Sequence, residues 1–174
     1  WMQHPFVQKA IPLAFGDNYR GYKILGTTPD YLEKYGAKIS EGKLFEKNFE
    51  VVIGSDIAKK LSLKIGDEFF GSHGDAAEGE VHDHYGYKVV GIAKPTGKVV
   101  DNLILCTIPS VWQMHGGHEK VENPAHGEEG HVHVEGEEHH EEADMTLDEP
   151  GMEITAVLLK FRNKMGIVTW PRII

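Results

Sequence analysis

The chain has 174 residues, a formal net charge of −9 and 11 His. Most of that charge lies in one stretch, where residues 119–149 carry twelve Asp and Glu against the single base Lys120. With no basic patch to neutralise phosphates, nucleic acid and acidic lipid are disfavoured as partners and weak attraction of cations is favoured. A composition of 40% hydrophobic and 26% charged residues predicts one domain or two small ones with a working core.

In chain order, residues 22–27 alternate as a strand. Thr28-Pro29 then opens a helix that places Tyr31, Leu32 and Tyr35 on one face, and Gly36 stops it where a left-handed residue is wanted. Residues 37–40 are extended and Glu41-Gly42 turns them. Residues 50–54 read as a short apolar strand. Ser55 is expected to cap a helix with Ile57, Ala58 and Leu61 inward and Lys59 and Lys60 outward. Gly66-Asp67 turns into a strand at 68–71, in which Phe69 and Phe70 read as core. Residues 72–85 form a Gly/His/acidic loop, 87–93 a strand, 94–98 a hairpin turn on Pro95 and Gly97, and 103–108 a further strand. Pro109 opens a short helix carrying Val111, Trp112 and His115, ended by Gly116-Gly117.

Residues 118–150 break every periodic pattern. Rich in Glu, Gly and His and poor in large apolar side chains, they cannot bury enough surface to offset ordering entropy and are expected to form a disordered loop. Residues 153–161 return as a strong strand, and the Pro171-containing tail gives no clear pattern. Short strands with sparse helices predict an α+β fold. The longest apolar run, 154–159, is far below the ~18–20 residues of a membrane helix. The lone Cys106, in an apolar run, reads as a buried small hydrophobe. Both ends, Trp1-Met2-Gln3-His4 and Pro171-Arg172-Ile173-Ile174, read as cuts through a longer protein.

No enzyme signature is present. The five serines Ser40, Ser55, Ser62, Ser72 and Ser110 lack a nucleophile-elbow frame. His115-Gly116-Gly117-His118-Glu119 has the wrong order for a zinc-protease helix. Gly91 to Lys98 has one residue too many between its glycines for a phosphate loop, and Val99 stands where Ser or Thr should bind magnesium. The chemically loaded feature is the histidine set His126, His131, His133, His139 and His140 amid carboxylates, with His82 and His84 in the earlier loop. Imidazole suits zinc and other divalent transition metals, bound weakly and at several sites. The glycines Gly127, Gly130 and Gly136 fix no geometry, so the same tract reads equally as a solvated acidic loop with incidental histidines.

The run Val51-Val52-Ile53-Gly54-Ser55-Asp56-Ile57-Ala58-Lys59-Lys60-Leu61-Ser62-Leu63-Lys64-Ile65-Gly66-Asp67 resembles a stretch of the periplasmic core domain of MacB/FtsX-type ABC-transporter permeases. Tyr87-Lys88-Val89-Val90-Gly91-Ile92 is similar to that family's "VvGI" strand, and Gly42-Lys43-Leu44-Phe45 to its "G+.F". Residues 22–35, 101–113 and 153–161 resemble its flanking segments. The resemblance implies a domain outside the cytoplasmic membrane, held between the first two of four transmembrane helices. It also implies a cytoplasmic ATPase subunit, a permease dimer and a periplasmic partner or substrate, and it carries over no catalytic residue. It implies a porter-like α+β part, residues 1–46 and 151–174, interrupted by a smaller β-rich part, residues 47–150. Residues 118–150 depart from the family and raise a metal-linked role as the alternative.

Overall fold

A computed structural model describes residues 4–72, 86–116 and 154–169. Among the described residues, eight strands form one mixed sheet: β1 (Val7–Tyr19), β2 (Tyr22–Gly26), β3 (Ile39–Gly42), β4 (Glu50–Ile53), β5 (Glu68–Phe69), β6 (Tyr87–Ala93), β7 (Ile104–Cys106) and β8 (Ala156–Phe161). Their order is β3-β6-β4-β7-β2-β1-β8, with β5 also paired to β6. The pairs β2–β7 and β4–β6 are parallel and the others antiparallel. The described residues also form the α-helices α1 (Asp30–Tyr35), α2 (Ser55–Leu61), α3 (Ile108–Gly116) and α4 (Lys164–Thr169), and a 3-10 turn at Val99–Asn102. This is the α+β fold that the sequence predicts.

The alternation of side chains along each central strand divides the core in two. Ile24, Val51, Ile53, Val89, Ile104 and Cys106 face one side, where Ile57 of α2 and Val111 and Met114 of α3 cover them. Leu25, Val52, Val90 and Leu105 face the other, under Tyr31 and Leu32 of α1, with Phe45, Val100 and Leu103 beside them. Both faces are dry, which is why these strands read as continuous apolar runs. Helix α2 has only seven residues, too few to persist alone. Full burial of Ile57 contributes about 1.5–3 kcal/mol relative to exposure, so packing rather than propensity holds the helix.

Several local expectations change. Strand β1 has no counterpart in the sequence reading. Its apolar spacing is weak, Pro12 lies inside it, and a register shift between Phe15 and Asn18 resets its phase. What makes it a strand is pairing on both sides: Val7 to Leu13 lie against β8, and Ala14 to Tyr19 against β2. Turn 94–98 is not a hairpin, because β4 lies between β6 and β7 and the chain crosses it. Ser55 does not cap α2; Gly54 holds the cap position, without a side-chain hydrogen bond. Phe70 is exposed, whereas Phe69 is buried, since β5 ends at Phe69. Trp112 and Cys106 are core, and residues Lys164–Thr169 form α4.

The helix that Gly36 ends behaves as its sequence predicts. Gly36 has φ of 68° and its N–H donates to the Glu33 carbonyl at 3.0 Å. Strands from 47–150 pair directly with those of 1–46: β7 lies on β2 and β6 on β3.

Candidate functional surface

Strands β1 and β8 run antiparallel, with Val7 opposite Phe161 and Leu13 opposite Ala156. The Arg162 N–H donates to the Phe6 carbonyl at 3.0 Å. The two lengths of chain entering and leaving the sheet are therefore neighbours at one end of it. Helix α4 is seated there through Gly166, where an added Cβ would lie 3.0 Å from the Phe161 ring and 3.2 Å from Phe6. That close approach turns Met165, Ile167 and Val168 outward, each about 60% exposed. The chain-neighbouring cations Lys160, Arg162 and Lys164 are exposed at the same end.

Helix α1 is tied to β1 by charge. Lys9 of β1 makes ion pairs of 2.8 Å with both Asp30 and Glu33 of α1. Hydrogen bonding from its ammonium to these carboxylates raises its pKa above the ordinary lysine value. Beneath α1, Tyr31 stacks at a tilt on Tyr35 with ring centres 4.9 Å apart. Burial first, and then Tyr35, pushes the Tyr31 phenol up to about 12. Between α1, Leu44 and the outer edge strand β3 runs a groove of about 540 Å³, bordered by Leu32, Ala37 and Ile39.

The two glycine motifs have a geometric cause. An added Cβ at Gly54 would come within 2.3 Å of the Val100 and Asp101 carbonyl oxygens. One at Gly91 would fall 2.2 Å from the Lys43 carbonyl oxygen. In both places a second length of backbone lies against the glycine, and only hydrogen fits. Gly54 is fixed further by its N–H, which donates to the Leu103 carbonyl at 2.9 Å.

The backbone against Gly54 is itself held by Asp101, whose role the sequence did not disclose. Its carboxylate accepts from the Thr96 N–H at 2.9 Å, the Thr96 hydroxyl at 2.9 Å and the Gly97 N–H at 2.7 Å. Burial opposes ionisation, but these bonds outweigh it and hold the carboxyl below its usual range. The segment that resembled a phosphate loop thus closes its own N–H groups on a carboxylate of the same chain. An acid five residues after the turn's Thr is the signal that could have found it.

None of the predicted metal ligands can be placed. His82, His84, His126, His131, His133, His139 and His140 all lie outside the described residues. Among the described residues, no three His, Cys, Asp or Glu side chains converge as a metal site. No helix among them is long and apolar enough to cross a membrane.

The sequence pattern of the MacB-like periplasmic core domain matches residues 2–138. No curated protein matches the chain. Solved structures similar to it include two transporter domains. The extracellular domain of the noncanonic ABC-type transporter YknZ from Gram-positive bacteria has a TM-score of 0.56 at 10% identity, covering 97% of this chain and 72% of that one. The periplasmic region of MacB from Actinobacillus actinomycetemcomitans has a TM-score of 0.50 at 13% identity, covering 67% of this chain and 55% of that one. This chain thus spans about half the length of the MacB region. At such identities the likeness is one of fold.

Proposed function

The chain belongs to the MacB-like periplasmic core domain family, and from that premise we propose that it works outside the cytoplasmic membrane as a non-catalytic relay in an ABC permease. In this reading a cytoplasmic ATPase drives the membrane part of a permease dimer, and this domain passes the movement to a substrate or a periplasmic partner. The observation that carries the reading is the pairing of β1 with β8. A domain hung between two membrane segments needs its entering and leaving strands side by side, and residues 6 and 162 are hydrogen-bonded neighbours. Force applied there acts along a 13-residue strand whose far half is paired to β2. A rigid sheet transmits such a displacement better than loops do.

The test uses a permease containing this chain, expressed with its ATPase. Val99 is half exposed and Cys106 fully buried, so Val99→Cys supplies one reactive thiol. Spheroplasts should label with a membrane-impermeant maleimide spin label, and the distance between the two labels of a dimer should differ between nucleotide-free and ATP-trapped states. Labelling only after lysis would refute the placement. Identical distances in the two states would refute the relay.

A second reading is favoured by the histidines of the acidic stretch. His126, His131, His133, His139 and His140, with His82 and His84, would collect zinc or another divalent metal weakly for a metal-linked transport complex. Calorimetric titration with zinc should give heat for the intact chain and lose it on deletion of 122–149. Equal heats for both would end this reading.

A further inference from the structure

Among the described residues, the most exposed large apolar side chains are all on α4: Met165 at 63%, Ile167 at 59% and Val168 at 63%. At about 100° per residue they occupy the arc opposite Gly166, the residue that seats the helix on Phe161 and Phe6, and Lys164 falls within that arc. Lys160 and Arg162 are exposed just ahead of it. From residue 154 to residue 174 the sequence holds Lys160, Arg162, Lys164 and Arg172 and neither Asp nor Glu. Residues 4–8, at the start of β1 alongside, add no carboxylate. Glu33 of α1 borders the recess that Lys160 lines, and Lys9 holds it at 2.8 Å. This is also the end of the sheet where residues 6 and 162 meet.

The net charge of the whole chain disfavours acidic lipid, but the stretch that carries it, 119–149, joins β8 at its start, whereas α4 follows its end. Six strand residues set those two points about 20 Å apart. The end that α4 occupies has only cations of its own. Apolar side chains interleaved with cations match the boundary of an anionic bilayer, where the apolar groups enter the acyl region and the long cationic side chains reach the phosphates. A second copy docked on the same face would set these cations against their like. We propose that α4 rests on an anionic lipid surface, with Ile167 and Val168 at the acyl boundary and Lys160, Arg162 and Lys164 on lipid phosphates. The proposal rests on the placement outside the cytoplasmic membrane given above and names what this end of the domain touches there.

The experiment floats the full 174-residue chain with vesicles of equal parts phosphatidylglycerol and phosphatidylcholine, and with phosphatidylcholine alone. The chain should rise with the anionic vesicles and stay behind with the neutral ones. Raising salt from about 0.05 M to about 0.3 M should weaken binding severalfold. Lys164→Glu should weaken it about tenfold or more, since each cation near such a surface contributes about fivefold. Lys59→Glu makes the same change of net charge on exposed α2 and should leave binding within about twofold. Ile167→Ser with Val168→Ser should remove the binding that survives high salt. A nitroxide on Val168→Cys should gain contact with oxygen and lose contact with a polar nickel chelate when anionic vesicles are added, and one on Val99→Cys should not change. No flotation, equal flotation with both lipids, or equal loss from Lys59→Glu and Lys164→Glu would each overturn the proposal. So would a lipid-free dimer that Ile167→Ser with Val168→Ser dissolves, because a second copy would then cover the face. Flotation reads the lipid contact and spheroplast labelling reads the placement, so either can fail alone.

Discussion

Replacing Asp101 by Ala removes the acceptor that closes turn 94–98 and presses the backbone onto Gly54. Asp101 is 5% exposed. Three donors lose their partner: the Thr96 N–H, the Thr96 hydroxyl and the Gly97 N–H, at 2.7–2.9 Å. Each hydrogen bond to a charged group contributes about 1.5–3 kcal/mol. The three are coupled, and Gly97 is exposed, so water re-solvates part of what is lost. The expected cost is therefore about 2–4 kcal/mol rather than the full sum, or roughly 4–16 °C in Tm for a domain of this size. Asp101→Asn should cost nearly as much, because its amide places donors against donors. Urea denaturation followed by circular dichroism measures both. The pH dependence has a fixed sign. A carboxyl whose folded pKa is depressed stabilises fully above its unfolded value of ~3.9 and loses that contribution as pH falls through the folded pKa. The gap between wild type and Asp101→Ala should thus be constant from neutral pH to about pH 5 and shrink below about pH 4. A cost under about 0.5 kcal/mol, or a gap that widens on acidification, would refute the clasp.

Gly54→Ala should destabilise by about 3 kcal/mol or more, since the new methyl group meets backbone that cannot step aside. Gly36→Ala meets nothing within 4 Å and should cost only the left-handed strain of about 1–2 kcal/mol; equal urea midpoints for the two would contradict the close approach. Tyr87→Phe should leave stability within about 0.5 kcal/mol of wild type, because the buried Tyr87 hydroxyl has no hydrogen-bond partner. A larger loss by thermal denaturation would reveal a partner. Cys106 is fully buried, and burial pushes its thiol up, so maleimide should react with it only as fast as the chain opens. Reaction in seconds at pH 8 under native conditions would show a route from the surface.

Much of the fold was legible wherever an element satisfies itself locally. β2 announces itself by alternation, β4, β6 and β8 by short apolar runs, and α1 by its paired tyrosines and Gly36. The family motifs were legible too, as letters. Their reason was not, because the atoms crowding Gly54 and Gly91 belong to Val100, Asp101 and Lys43, at distances in sequence that no local pattern spans. β1 was illegible for the same reason. With Pro12, Gly16 and a shifted register it lacks a period of its own, and it is extended because β8 and β2 flank it. Of the functional reading, the histidines were conspicuous in the sequence but cannot be placed, whereas Ser55 was read as a cap and proves to be the buried first residue of α2.

What the sequence by itself determined is the charge partition, the apolar runs of the central strands and the family pattern, each a property of residues read in order. The tertiary structure alone decided that β4 lies between β6 and β7, that the carboxylate of Asp101 fills its own phosphate-loop mimic, and that residues 6 and 162 meet. Those outcomes depend on which backbones come together across the sheet. Backbone pairing is nearly blind to side-chain identity, so only the packed chain records it.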